Sequence, residues 1–133
     1  MWKEKESYKD FVVKKVMPLG ELKATLVELE HTPSGAQVMH IENDDPENLF
    51  CLSFETLPYN SNGVAHILEH TVLCGSRNFP VKDPFFAMTR RSLNTFMNAP
   101  TGSDFTCYPA SSHVEKDFYN LLDVYNEIRL KID

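Results

Sequence analysis

His66, Glu69 and His70 stand three and four positions apart, and that spacing constrains the chain more than anything else in it, because it gathers all three on one side only if the segment coils into a helix. Each residue turns a helix by about 100°, which puts His66, Glu69, His70 and Leu73 in one sector. Val64, Leu68 and Thr71 then point the opposite way, flanked by Ile67 and Val72. The expectation is a helix with its apolar side buried in a core and its polar side facing a site. Asn62 or Ser61 is the expected N-cap, and Gly75 the expected C-terminal stop.

Two imidazoles one turn apart can offer their nitrogens to one tetrahedral metal ion. Glu69, one position before the second histidine, is placed to hold the metal's water and take its proton, in mirror order to the glutamate of H-E-x-x-H enzymes. H-x-x-E-H itself occurs among zinc peptidases. The competing reading is a pair of solvated surface histidines, and the apolar sector opposite them, on a segment with both caps, favours the metal. A structural zinc site drawing on Cys74 is disfavoured, since His66 and Cys74 are separated by about 12 Å of helix rise.

A chain of 133 residues with 42% hydrophobic content suffices for one domain with a real core and falls short of two ordinary ones. The net charge of −6 leaves no basic stripe to neutralise phosphates, and Arg90-Arg91 is an isolated pair, so nucleic acid is not an expected partner. No run approaches a transmembrane length, and no membrane partner is expected. Residues Met1 to Glu6 have neither a hydrophobic signal segment nor the acid-free, Arg-rich character of a transit peptide. The expected location is cytoplasmic, or organellar if a transit peptide has been removed. Cys51, Cys74 and Cys107 are odd in number and widely spaced, which fits reduced thiols.

Residues 1–20 read as a peripheral arm docking through Trp2, Tyr8 and Phe11, and 21–133 as the domain proper. Leu22 to Glu30 alternates as a strand, His31 to Gly35 signals a turn, and Ala36 to Ile41 is the expected hairpin partner. After a polar loop from Asn43 to Asn48, Leu49 to Phe54 reads as a buried strand leading into the motif helix. A loop from Arg77 to Pro84 precedes a helix expected over Phe85 to Met97. Pro100, Gly102 and Pro109 flank short extended pieces, of which the one holding Pro100 suits an edge strand. Phe118, Leu121, Leu122, Tyr125, Ile128 and Ile132 recur at helical spacing, predicting an amphipathic helix from Val114 to the end. The fold class is α+β, an antiparallel sheet with helices packed on one face.

The run from Gly63 to Ser76, followed by Asp83-Pro84-Phe85-Phe86 and by Ser92 to Ala99, resembles the presequence-protease branch of the pitrilysin and insulysin metallopeptidases. Asn98-Ala99-x-Thr101-x-x-Asp104-x-Thr106-x-Tyr108 is similar to the broader family's substrate-strand pattern. The resemblance implies that His66 and His70 are ligands to Zn2+ and Glu69 is the general base. It implies that Asn98 and Ala99 lie on an edge strand that pairs with an extended peptide, a mode that tolerates many side chains. The implied fold is an antiparallel sheet covered on one side by helices, in half-domains that close as a chamber around short, unfolded peptides. In that family the third zinc ligand is a glutamate on a later helix, and neither Glu115 nor Glu127 falls at its spacing. The expectation is therefore the N-terminal part of a zinc metalloendopeptidase, incomplete and inactive in isolation, its exposed core surface inclined to self-associate. The alternative is a catalytically inactive peptide-binding or regulatory fragment.

Overall fold

The computed structural model describes residues 2–76 and 78–132, which fall into two compact units, one ending at Asp45 and the other beginning at Pro46. The first unit is an antiparallel meander of β1 (Ser7–Tyr8), β2 (Phe11–Leu19), β3 (Ala24–His31) and β4 (Gln37–Glu42), paired in that order. Val13, Val27 and Leu29 are its buried residues, with Trp2, Phe11 and Val16 packed against them. The stretch expected to be a peripheral arm supplies two of the four strands, and the first compact unit runs on to Asp45. A bulge between Val13 and Lys15 is the physical reason the strand was hidden. It breaks the two-residue period, so Val12-Val13-Lys14-Lys15-Val16 shows no clean alternation. The expected hairpin is present with shifted ends: a 3-10 turn over Gly20–Leu22 precedes β3, and the Gly35 amide donates to the His31 carbonyl at 2.7 Å.

The second unit holds a three-stranded antiparallel sheet of β5 (Asn48–Glu55), β6 (Asn94–Met97) and β7 (Phe105–Ser112), in the order β5-β7-β6. Its helices are α1 (Val64–Val72), α2 (Pro84–Arg91) and α3 (Glu115–Ile132). Helix α3 packs on β7 and β5, α1 and α2 pack on α3, and α2 also meets β6. This is an α+β arrangement of antiparallel sheets with three helices, in two sheets where the sequence suggested one. Central strand β7 carries the core, with Tyr108 and Ala110 buried against Leu121 and Tyr125 of α3 and Val72 of α1. Tyr125 is its hub, with Phe50 at 5.3 Å, Phe85 at 6.2 Å and Tyr108 at 6.5 Å between ring centroids, all edge to face.

Two elements differ from the pattern-based reading. β5 is not a buried strand: Phe50, Leu52 and Phe54 turn toward the core while Leu49, Cys51 and Ser53 are exposed, as suits an edge strand. The helix expected through Met97 stops at Arg91, because Ser92 is extended and the Asn94 side-chain amide donates to the Met88 carbonyl at 3.2 Å and to Ser92 Oγ at 2.8 Å. Such local side-chain bonds compete with helix propagation, and the chain continues as β6. The helix expected from Val114 is present; the side chains of Ile128 and Ile132, two of the positions that predicted it, lie outside the described residues. Among the described residues no helix is long and apolar enough to cross a membrane.

Candidate metal centre

Helix α1 starts from Gly63, which holds φ 69° and closes the first turn by accepting from the Ile67 amide at 3.0 Å; neither Asn62 nor Ser61 caps it. Glycine suits that position because a Cβ disfavours the left-handed conformation. The helix is also rolled relative to expectation. Glu69 and Val72 face inward, 7% and 5% exposed, while Val64 and Ile67 are 64% and 62% exposed. Of the side expected to be buried, Val72 is buried, whereas Val64, Ile67, Leu68 and Thr71 are open. Val72 and Leu73 fill the space over the tyrosine core, and a partner found far along the chain draws Glu69 in with them.

His66 and His70 lie on the solvent side, with Nε2 of one 3.1 Å from Nε2 of the other and ring centroids 4.9 Å apart. Two nitrogens at zinc bonding distance and a tetrahedral angle stand about 3.3 Å apart, so the pair has the spacing that one ion requires. Both are the ring's outer nitrogens, within hydrogen-bond distance of each other. Among the described residues no group of three or more His, Cys, Asp or Glu side chains is gathered to hold a metal. The pair offers two donors, and the Cys74 thiol donates to the His70 carbonyl at 3.1 Å.

Glu69 Oε2 accepts a hydrogen bond from the Thr101 hydroxyl. Thr101 is fixed by backbone pairing in a bend that reverses the chain. The Cys107 amide donates to the Pro100 carbonyl at 3.0 Å, Thr101 bridges to Thr106, and the Gly102 amide donates to the Phe105 carbonyl at 2.7 Å. The Phe105 ring lies so close over Gly102 that any side chain there would overlap it. Thr106 Oγ1 in turn sits 2.9 Å from Thr56 Oγ1. Beside this bend Tyr108 is 1% exposed, and burial, then the charge of Glu69, then Cys107 push its hydroxyl up to about 12.

Residues 57–132 match the insulinase family, peptidase family M16. The chain belongs to that family. Its curated relatives include proteins named presequence protease, mitochondrial. The Xenopus tropicalis protein is 54% identical over 120 residues, the mouse protein 52% over 124 and the Saccharomyces cerevisiae protein 50% over 115, covering 90%, 93% and 86% of this chain. The chain spans about 12% of the length of each. This similarity puts it in the presequence-protease branch of the M16 family.

The M16 resemblance set Asn98 and Ala99 on an edge strand. β6 is the edge of its sheet, but it ends at Met97, and the two residues follow it directly. The Asn98 amide still donates to the Pro109 carbonyl at 3.2 Å, while Asn98 Oδ1 takes the Ala99 amide at 2.9 Å. Asn98 is exposed and Ala99 is buried in the core. Pro100, which has no amide to donate, keeps its carbonyl paired with Cys107. Glu127 accepts from the Asn78 amide at 2.6 Å, a tie between loop and helix. None of Cys51, Cys74 and Cys107 is in a disulfide, as the sequence suggested. Burial, and then the neighbouring Cys51, push the Cys107 thiol up and keep it protonated. Sequence reasoning assigned no role to Thr101 or Tyr108. The only signal was their presence in the substrate-strand pattern, for the contact with Glu69 spans 32 residues.

Proposed function

We propose that this chain carries the metal-binding helix and the substrate edge of a zinc-dependent endopeptidase acting on short, unfolded peptides. The observation that supports it is the His66–His70 nitrogen pair, 3.1 Å apart, with the buried carboxylate of Glu69 on the same turn. His66 and His70 would hold the ion through Nε2. A zinc ion there supplies Lewis-acid polarisation of a scissile carbonyl and acidifies a water. Glu69 accepts the proton and returns it to the leaving amine nitrogen. An extended peptide pairs its backbone with the segment at Asn98 and Ala99, so that main-chain bonds supply affinity with loose sequence preference.

The relatives' names carry a mitochondrial address, and we adopt an organellar site of action in place of the cytoplasmic one drawn from residues 1–6 alone. The lack of a third donor beside the two histidines among the described residues favours a second reading for the chain by itself, peptide binding without turnover. Two measurements test the proposal. Zinc stoichiometry under native conditions is expected to show weak binding that the His66→Ala change removes; stoichiometry indifferent to that change rejects the metal site. Amide shift mapping with an unstructured basic peptide is expected to perturb Asn98 and Ala99. Perturbation confined to residues 2–18 counts against the substrate edge.

A further inference from the structure

Glu69 is a carboxylate 7% exposed on a nine-residue helix whose other polar groups face solvent. Burying a charge is costly unless it is hydrogen-bonded, and a glutamate side chain has three torsions through which to escape to water. The group that holds it is Thr101, whose hydroxyl donates to Oε2. That hydroxyl is well anchored, because the Thr101 backbone is bridged to Thr106 and the flanking Pro100 and Gly102 are paired to Cys107 and Phe105. Thr101 also stands two residues beyond Ala99, on the same bend as the proposed substrate edge.

We propose that Thr101 is the positioning residue for the general base: its hydroxyl fixes Glu69 in one orientation through Oε2 and leaves Oε1 as the atom that takes the proton. The inference rests on reading Glu69 as that base. It adds a physical link between the segment that would pair with a peptide and the carboxylate that would act on it, since the hydroxyl that holds the helix carboxylate stands two residues from that segment on one hairpin. A threonine is suited to the task because its two substituents on Cβ leave few χ1 positions, so the donor direction follows the backbone.

The test uses the 133-residue chain labelled at the glutamate carboxyl carbon, with the Glu69 resonance assigned by its disappearance in Glu69→Gln. Thr101→Val is expected to shift and broaden that resonance, and Thr101→Ser, which keeps the hydroxyl, to leave it at its wild-type position. The remaining glutamate signals stay put in both. If Thr101→Val fails to fold by its amide spectrum, Thr101→Ala gives the same comparison without the branched side chain. A Glu69 signal unmoved in the variant lacking the hydroxyl overturns the proposal, as does a Thr101→Ser signal displaced as far. Zinc titration of the same samples separates the two levels. Retained binding in Thr101→Val with loss in His66→Ala is expected. Loss in both makes Thr101 a structural residue and overturns the positioning role, whereas zinc binding indifferent to His66→Ala defeats the metal reading beneath it.

Discussion

The sheet of residues 7–42 and the sheet of residues 48–112 use the same antiparallel pairing, yet they are finished differently. The first has no α-helix among the described residues of its own unit and buries Val13, Val27 and Leu29. The second is backed by three helices and buries a tyrosine-centred cluster together with Glu69, Thr106, Ser111, Ser112 and Asp117. A two-layer unit can fix a polar group in place, because elements on both sides supply partners for it. That is why the candidate chemistry lies in the second unit, where a helix carboxylate and a hairpin hydroxyl meet.

The contrast predicts unequal sensitivity. Tyr125→Ala, which removes the hub of the larger core, is expected to destabilise the second unit by about 3–5 kcal/mol, the cost of truncating a buried large aromatic. Val27→Ala in the first unit is expected to cost no more than ~1.5–3 kcal/mol. Hydrogen exchange read separately over residues 7–42 and 48–112 compares them; equal losses would break the distinction. Alkaline pH sharpens it. Tyr108 holds its proton up to about 12 against an ordinary 10, so the folded second unit binds that proton more tightly than the unfolded chain. Its contribution is fully present below about pH 10 and is lost as pH rises through 12. Denaturant midpoints of the second unit should fall across that window, and Tyr108→Phe should flatten the fall. The smallest effect is expected at the exposed Lys14–Glu30 ion pair of the first sheet, 3.1 Å apart, where Lys14→Met should change stability by less than about 1 kcal/mol and less still in high salt.

How much of this was readable from the residues follows the range of the interactions. Helix α1 was legible because its three polar positions make sense only at helical spacing, and α3 because Leu121 and Tyr125 recur on one face. β2 was not, since the bulge at Val13 to Lys15 scrambles the alternation, and β6 was absorbed into a helix that Asn94 in fact terminates. The roll of α1 was misread for a different reason. Periodicity defines which residues share a face but not which face the core takes, and Glu69 turns inward through a bond to Thr101 that no local pattern encodes. The outcome is an open stripe of Val64, Ile67 and Leu68 beside the histidines, apolar surface through which self-association of the chain is expected, with light scattering as the check.

The central claim is that His66 and His70 act together as a metal-binding pair. Imidazole nitrogen resonances followed during a zinc titration test it most directly, because the chain's other three histidines, His31, His40 and His113, serve as internal controls. The account predicts that Nε2 of His66 and of His70 shift together on one saturation curve while the other three rings stay in place, and that His66→Ala removes the response at His70. Zinc-dependent shifts at His31, His40 or His113 with His66 and His70 unmoved would contradict it.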